Sequence, residues 1–283
     1  MRSRAGEAVV VVAAALLITV VMTWPLVVRG GSAGRIDSGD GQFSIWNVAW
    51  VARTLVVDPR GLYNANIFYP HRGTLAWSEA NLGAGALAVP FYWASGGNPY
   101  VAHNAVVFLA FVLALTGTYS LVRHLTGHRG GAAVAAVAYA FCPYVFSHIP
   151  HIQLLMTAGI PYSLLALHRY VSRQTAGRAC VLGLALAAQA LSCGYYGIFA
   201  GLLAGYGIVF YSVSRGLWRN WRFWAGTAFA AALSVAIVLP FFWPYFELRQ
   251  GVGFARSLYD SGRWSAVWRS DVASGAWAVR WGL

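Results

Sequence analysis

Acidic residues are scarce in this chain of 283 residues, and lysine is absent. Only eight residues are Asp or Glu, and none of them lies between Glu79 and Glu247. Charged residues make up 10% of the chain and apolar residues 59%, whereas roughly 25% of a soluble globular domain is charged. Because a carboxylate is costly inside a bilayer, this composition excludes a soluble domain and predicts an integral membrane protein with the lipid bilayer as a partner.

The formal net charge is +12, and all twenty basic residues are arginine. A strongly basic soluble domain would indicate nucleic-acid binding. In a membrane protein, arginines instead hold short loops on the cytoplasmic side, so no nucleic-acid partner is predicted.

Cysteine is also rare, and Cys142, Cys180 and Cys193 all lie in apolar stretches. Their number and spacing exclude a disulfide framework and a zinc site. The chain has no phosphate-binding glycine loop, no nucleophile elbow and no metal motif of standard spacing, and it lacks the soluble domain that a cytosolic nucleotide-sugar enzyme needs. No cofactor is predicted, although a divalent metal is compatible with the sequence.

Seven apolar stretches have the composition of membrane spans, which need about 20 residues to cross a bilayer. The first, residues 8–28, is too long for a signal-peptide core of about 7–15 residues and is predicted to be an uncleaved transmembrane helix. The others cover residues 101–122, 131–147, 152–171, 179–193, 195–213 and 223–246. The predicted fold class is therefore all-α, a polytopic transmembrane helical bundle of about seven spans.

The spans divide the chain into four parts. Residues 1–28 hold the N-terminus and first helix, 29–100 form an outer loop, 101–246 form the bundle, and 247–283 form an outer segment. Every second short connection carries arginine, a pattern that places those connections and the N-terminus in the cytoplasm. These arginines are Arg123, Arg129, Arg173, Arg178, Arg215, Arg219 and Arg222.

The outer loop contains two helical stretches. Residues 42–57 have a helical pattern that ends at Asp58, before Pro59. The pattern predicts an interfacial helix with its tryptophans toward lipid and its polar face toward water. The tryptophans are Trp46 and Trp50, and the polar face carries Asp40, Ser44, Asn47 and Thr54. Residues 83–95 are apolar but too short to span, so a second interfacial or re-entrant segment is predicted there.

Two packing features stand out within the bundle. Gly197, Gly201 and Gly205 repeat every four residues and predict a ridge that lets another helix approach closely. His103 and Asn104 are polar residues inside the second span, and they are expected to form a hydrogen bond to a neighbouring helix.

The best indication of function is the pair of acids Asp37 and Asp40, directly after the first span. Asp37 or Ser38 would make a good N-cap for the following helix, and an aspartate in the first turn suits the helix dipole. The alternative is a base or metal-binding pair at the mouth of a membrane cavity. Both interpretations hold together if Asp37 caps the helix and Asp40 acts chemically.

Other polar residues on the outer side have similar alternatives. His71 and Glu79 belong to the aromatic and polar segment 66–79, which fits either an interface anchor or part of a site, with Glu79 free of a nearby arginine except Arg72. His148 and His151 are three residues apart across Pro150, which argues against a regular helix. They fit a metal pair, an anion-binding or cavity-lining role, or ordinary loop polarity.

The last outer segment is rich in arginine, including Arg249 and Arg256. A guanidinium offers several donors and stays charged, so these arginines suit a phosphate. A solvated loop with local ion pairs is the alternative.

In their order along the chain, several of these stretches resemble the membrane-embedded glycosyltransferases of the GT-C superfamily, and more closely the bacterial multi-span proteins called glycosyltransferase-like in that group. The stretches are residues 37–40 (DSGD) with Trp46 and Trp50, 66–79 (NIFYPHRGTLAWSE), 98–104, 141–155 (FCPYVFSHIPHIQLL), 191–197 (LSCGYYG) and 244–258. The resemblance covers residues 8 to about 270 and is fairly specific only when the stretches are taken together.

The resemblance implies a transferase that uses a polyprenyl-phosphate sugar donor on the outer face of the bacterial cytoplasmic membrane. In that superfamily an acidic residue of the first outer loop is the catalytic base, which corresponds here to Asp37 or Asp40, with Asp40 favoured by its helix face. Glu79 is the third candidate carboxylate. Cationic side chains would stabilise the leaving phosphate, and the candidates for this role are His71, His148, His151, Arg249 and Arg256.

The match fades from about Asp271, and relatives in the superfamily continue through further membrane helices, so the resemblance also implies a fragment. Two other functions are compatible with the sequence. One is a transporter or lipid flippase, although the acid-free stretch argues against proton coupling. The other is a non-catalytic membrane protein or a truncated remnant.

Overall fold

The computed structural model describes residues 4–34, 39–252, 257–263 and 265. Over these residues the chain is helical and contains no strand, which confirms the all-α prediction. The helices are α1 (Arg4–Met22), α2 (Leu26–Arg29), α3 (Asp40–Val57), α4 (Leu82–Ala94), α5 (Pro99–Thr126), α6 (Arg129–Ala140), α7 (Pro143–Ser147), α8 (Ile152–Leu155), α9 (Gly159–Ser172), α10 (Ala176–Ser192), α11 (Gly194–Ser214), α12 (Trp221–Val252) and α13 (Leu258–Arg263). Short 3₁₀ turns cover Pro59–Gly61, Thr74–Trp77 and Leu217–Arg219.

Five helices in the described ranges are long and apolar enough to cross a membrane, as in a multi-pass membrane protein, and not the seven predicted. They are α1, α5, the α6–α7 stretch, α11 and α12. The predicted span 152–171 is divided because α8 ends at Leu155 and α9 begins at Gly159. At 1.5 Å per residue, α9 and α10 are only about 21 and 26 Å long, short of a hydrocarbon core about 30 Å thick.

The first predicted helix also ends earlier than expected. Helix α1 stops at Met22 and the chain turns at residues 23–25, where Pro25 has no backbone N–H to continue the helix. Asn104 then ties the following turn to α5, because its Nδ2 donates to the carbonyl oxygens of Gly30 and Ala33, both at 2.8 Å. The prediction named a neighbouring helix, whereas Asn104 bonds to the turn that follows α2.

Helix α3 exists where the sequence predicts it, but its orientation differs from the prediction. It packs against α4 and α5, and its polar residues Ser44, Asn47 and Thr54 are buried against protein rather than facing water. The indole N–H of Trp46 donates to Asn66 Oδ1 at 3.0 Å, and that of Trp50 donates to the Leu62 carbonyl at 2.9 Å. The tryptophans therefore contact the segment that follows α3. The burial of Ser44, Asn47 and Thr54 overturns the prediction of a water-facing polar side.

The core beneath the candidate site joins distant parts of the chain. Val48 of α3, Ala84 of α4 and Val106 of α5 pack with Ile152 and Met156 of the broken α8–α9 region. This packing fixes the short connection around residue 150 against the first turns of α3. A separate cluster holds α9, α10 and α12 together through residues that include Tyr170, Leu182 and Phe223.

The predicted glycine ridge on α11 is wrong for two of its three members. A Cβ added at Gly201 or Gly205 would meet nothing within 4 Å, so no helix packs there within the described residues. Only Gly197 lies close to another helix, with its added Cβ 2.5 Å from Ala190 Cα. Another close helix crossing is at Gly183, where an added Cβ would lie 2.6 Å from the Ala230 carbonyl oxygen.

Different kinds of contact hold the two ends of the bundle: ion pairs at one end and an amide-to-carbonyl hydrogen bond at the other. At one end, Glu7 at the start of α1 accepts a hydrogen bond from Arg123 Nε at 2.8 Å, pairs with Arg129 at 2.6 Å, and accepts from the Tyr119 hydroxyl at 2.9 Å. At the other end of α5, Asn98 Nδ2 donates to the Gly31 carbonyl at 2.9 Å, close to the start of α3. The candidate site lies at this second end, away from the arginine-rich connections.

Candidate functional site

A cavity of about 860 Å³ opens beside the first turns of α3. Its walls come from α3, residues 76–81, the connection around His151, the first turn of α11 and the last turns of α12. Four of the predicted site residues line it, although they lie far apart in sequence: Asp40, Glu79, His151 and Arg249. The fold therefore brings four separately predicted site residues together in one cavity.

The side chains of Asp40 and His151 are in direct contact at this cavity. His151 Nε2 lies 2.9 Å from Asp40 Oδ2, with 69% of the aspartate side chain and 35% of the histidine side chain exposed. One helical turn further along α3, the Ser44 hydroxyl donates to the Pro150 carbonyl at 2.7 Å. These two contacts fix the connection at residues 150–151 to α3 and hold the carboxylate at the cavity mouth.

The interpretation of Asp37 and Asp40 as helix-capping residues has a different outcome for each of them. The N-cap of α3 is Gly39 and not Asp37 or Ser38, so Asp40 is the first residue of the helix. Its position in the first turn suits the helix dipole, while its carboxylate contacts His151. Asp37 lies outside the described residues.

The Glu79 side chain is more buried than that of Asp40. Its Oε1 accepts a hydrogen bond from the Gly194 backbone N–H at 2.6 Å. Its Oε2 atom is buried and has no hydrogen-bond partner within the described residues. Burial raises the pKa of this carboxyl above its usual value, and the Gly194 N–H and the Cys193 thiol oppose that rise only in part.

The backbone around Glu79 is fixed from two sides. The Tyr245 hydroxyl of α12 accepts from the Ala80 N–H at 2.9 Å and donates to the Ser78 carbonyl at 3.0 Å. From α3, Asn47 Nδ2 donates to the Glu79 carbonyl at 3.2 Å. A loop restrained in this way holds its side chain in a defined direction, as a binding or catalytic group requires.

Arg249 supplies the cation on the α12 wall of the cavity. It is in the last turn of α12, it is exposed, and it makes no ion pair with any carboxylate of the described residues. Arg256, the second arginine predicted in this region, lies outside the described residues.

Two of the predicted histidines do not line the cavity. His71 is exposed and packs against Trp77, with ring centroids 5.2 Å apart. His148 Nδ1 lies 2.7 Å from the Tyr144 carbonyl oxygen, and its ring centroid is 5.9 Å from that of His151. Trp77 does line the cavity, so His71 contacts a lining residue without lining the cavity itself.

Three residues that position the site were not named as candidates from the sequence. Tyr245 lies at the end of the apolar stretch 223–246 and inside the resemblance stretch 244–258. Gly194 falls inside one of the stretches that carry the family resemblance, and Asn47 is on the polar face of α3. The polar face of α3 could therefore have identified Asn47, if that face had been interpreted as packing against protein.

The polar groups of the cavity allow proton exchange and anion binding. Across the described ranges no group of three or more His, Cys, Asp or Glu side chains could hold a metal ion, so no metal is assigned to the site. A second cavity of about 640 Å³ is apolar, and it is lined by Leu82, Leu191 and Phe241, which are close in sequence to residues that line the first.

No family model, curated protein or solved structure matches this chain.

Proposed function

We propose that the chain is a membrane glycosyltransferase that moves a sugar from a polyprenyl-phosphate carrier to an acceptor hydroxyl on the outer face of the bacterial cytoplasmic membrane. The observation that carries this proposal is the Asp40–His151 pair, 2.9 Å apart, in a cavity that also holds Glu79 and Arg249. A carboxylate base and a cation facing one cavity are the groups that this transfer needs.

Asp40 is the proposed base. The acceptor oxygen attacks the anomeric carbon of the sugar, its proton passes to the Asp40 carboxylate, and the bond from that carbon to the phosphate oxygen breaks. A positioned general base contributes about 10²–10⁴-fold to such a step. His151 orients Asp40 in this scheme, since its Nε2 contacts the Oδ2 atom of that carboxylate.

Arg249 is the proposed partner of the leaving polyprenyl phosphate. The negative charge on that phosphate grows as the sugar departs, and a preorganised cation stabilises it. Arginine suits this role because its guanidinium remains charged and presents several donors to phosphate oxygens.

A second, largely apolar cavity of about 640 Å³ supports a substrate with a hydrocarbon chain. Apolar pockets bind apolar chains by removing them from water. One cavity with charged groups and a second, largely apolar cavity match a carrier that joins a phosphate sugar to a polyprenyl tail.

The orientation in the membrane is proposed from the arginines. Arg123 and Arg129 belong to the end of the bundle that holds Glu7 near the N-terminus. The positive-inside rule puts that end in the cytoplasm and the Asp40 cavity on the outer side.

The experiment compares Asp40→Asn with Glu247→Gln. Glu247 is exposed, bonds to Trp243 Nε1 at 2.8 Å and does not line the cavity, so it is a matched carboxylate control. Membranes containing each variant in equal amount are assayed with radiolabelled polyprenyl-phosphate hexoses, and we expect the wild type and Glu247→Gln to transfer sugar, with Asp40→Asn at least about 100-fold slower. Undiminished transfer by Asp40→Asn, or no transfer by the wild type from any such donor, would overturn the proposal.

A further inference from the structure

We propose that a groove between α1, α5 and α6 binds one anionic phospholipid, with an acyl chain in the groove and the lipid phosphate on Arg129. The groove opens at the Glu7 end of the bundle, away from the Asp40 cavity. The proposal does not depend on the transfer reaction, because its ligand is a lipid of the surrounding bilayer.

The groove is a space between two helices that both pack against a third. Helices α1 and α6 each contact α5, and a cavity of about 560 Å³ remains between them. All the residues that line this cavity belong to these three helices, so no other described element fills it. Its volume falls in the range of about 300–1,000 Å³ that is usual for small-molecule sites.

Beyond its charged end, the groove has apolar walls. Val10 and Ala14 line it on α1, and Ala133 and Val137 line it on α6. Val10 is 44% exposed and Val137 is 40% exposed, although both belong to helices that could span a membrane. Water gains no hydrogen bonds from such walls, so a hydrocarbon chain is the favoured occupant.

The length of the groove matches one leaflet of a bilayer. On α1 its lining runs from Glu7 to Ile18, a rise of about 16 Å at 1.5 Å per residue. Half of a hydrocarbon core about 30 Å thick is about 15 Å. The groove therefore begins at charged residues and continues along apolar ones for the depth of one leaflet, which is the order of headgroup and chain in a single lipid.

The charged end of the groove carries an excess of positive charge. Arg123 Nε and Arg129 Nη2 lie 2.8 and 2.6 Å from the Glu7 carboxylate. Two guanidinium groups share this one carboxylate, so the three side chains together keep a net positive charge. Charge complementarity therefore favours an anionic headgroup, as in other basic pockets between transmembrane helices.

Arg129 is the residue that can reach the lipid phosphate. It lines the groove, and 55% of its side chain is exposed. A guanidinium has five N–H donors, and Arg129 directs Nε and Nη2 to Glu7. The remaining donors are available to phosphate oxygens, which arginine binds in a defined geometry.

The test measures lipid binding to the purified full chain in detergent by native mass spectrometry, which counts bound lipids. The probes are dioleoyl phosphatidylglycerol, which is anionic, dioleoyl phosphatidylcholine, which has the same chains and no net charge, and glycerol phosphate, which has no chains. We expect the tightest site to prefer phosphatidylglycerol over phosphatidylcholine by about fivefold or more, the effect of one arginine at an anionic lipid surface. Glycerol phosphate should not bind at concentrations that saturate this site with phosphatidylglycerol.

A variant that fills the groove tests where the lipid chain lies. Ala133 is exposed and lines the groove, so Ala133→Phe should remove the tightest lipid from the spectrum. Ala138→Phe is the matched control, because Ala138 is also exposed on α6 and does not line the groove. It should bind the same number of lipids as the wild type.

Charge variants test the contact between Arg129 and the phosphate. Arg129→Gln should lose the preference for phosphatidylglycerol by about fivefold, whereas Arg173→Gln, which changes an exposed arginine outside the groove, should keep it. Glu7→Gln separates this contact from a purely structural role of the pair between Glu7 and Arg129. Because it removes a negative charge, it should bind phosphatidylglycerol at least as tightly as the wild type.

Five results would each overturn the site. They are equal affinity of the wild type for the two lipids, tight binding of glycerol phosphate, unchanged lipid binding by Ala133→Phe, an unchanged preference in Arg129→Gln, and a Glu7→Gln variant as weak as Arg129→Gln. If Ala133→Phe does not fold, the three probes and the charge variants decide alone. None of these measurements uses sugar transfer, so this proposal and the proposed function can fail separately.

Discussion

His151 Nε2 lies 2.9 Å from Asp40 Oδ2, although 111 residues separate the two side chains along the chain. The contact joins the first turn of α3 to the connection between α7 and α8. Ser44 adds a second contact to the same connection through the Pro150 carbonyl. An acid and a histidine that are held together in this way are expected to act as a unit.

A double-mutant cycle tests that unit. Asp40→Asn and His151→Gln should each reduce sugar transfer, with the larger loss from Asp40→Asn because it removes the proposed base. The double variant should be no more than about threefold slower than Asp40→Asn alone, since residues in direct contact have non-additive effects. The measurement is the initial transfer rate at equal protein in membranes.

The control for this cycle is His124→Gln, which changes an exposed histidine at the opposite end of α5. It should leave the transfer rate unchanged. Losses that multiply in the double variant would mean that Asp40 and His151 contribute independently, and the orienting role of His151 would then be wrong.

Four polar residues of the cavity were predictable from the sequence, but their arrangement was not. Asp40, Glu79, His151 and Arg249 stand out because polar residues are rare in this chain. Helical periodicity also gave the polar face of α3 correctly. It could not tell whether that face meets water or protein, because that depends on how α4 and α5 pack against it.

Tyr245 shows why the residues that position the site could not be predicted from the sequence. Its hydroxyl bonds to Ser78 and Ala80, which are more than 160 residues earlier in the chain. Inside an apolar stretch, a tyrosine that makes such bonds has the same local sequence as one that only packs. Its role depends on tertiary contacts that no local pattern encodes.

Tyr245→Phe is predicted to loosen the Glu79 loop while keeping the aromatic packing. The change removes the acceptor for the Ala80 N–H and the donor to the Ser78 carbonyl. An unpaired buried backbone group costs about 1–3 kcal/mol, so the thermal unfolding midpoint should fall. Hydrogen exchange at residues 78–81 should accelerate.

Tyr259→Phe is the matched control, because Tyr259 is 79% exposed. It should change neither the unfolding midpoint nor the exchange at residues 78–81. Equal protection of that segment in Tyr245→Phe and the wild type would show that Tyr245 does not hold the loop.

Glycines that face open space and glycines at a helix crossing look alike in sequence. At Gly183 an added Cβ would lie 2.6 Å from the Ala230 carbonyl oxygen, a backbone atom that cannot move alone. Gly183→Ala should therefore force α10 away from α12 and destabilise the fold by about 1–3 kcal/mol, the usual range for overpacking. Thermal unfolding in detergent gives the measurement.

Gly201→Ala provides the comparison, since an added Cβ there meets nothing within 4 Å. Alanine is better than glycine inside a helix by about 0.5–1 kcal/mol, so this variant should be as stable as the wild type or slightly more stable. A larger loss from Gly201→Ala than from Gly183→Ala would contradict the helix packing described above.

Glu79 should also leave a signature in the pH dependence of stability. Burial raises the pKa of its carboxyl in the folded state above the ordinary value of 4.5 that the unfolded chain retains. Between these two pKa values the folded state holds more protons than the unfolded state, so the free energy of unfolding falls as pH rises across that window. Above the folded pKa this contribution is fully lost, and below 4.5 it is fully present.

Glu79→Gln removes this titration, so its stability should decline less than that of the wild type over the same pH range. The measurement is the thermal unfolding midpoint in detergent at a series of pH values from 4.5 upward, with Glu247→Gln as the exposed-carboxylate control. Glu247→Gln, which changes an exposed carboxylate outside the cavity, should follow the wild-type curve. Parallel curves for the wild type and Glu79→Gln would show that folding does not raise the pKa of this carboxyl.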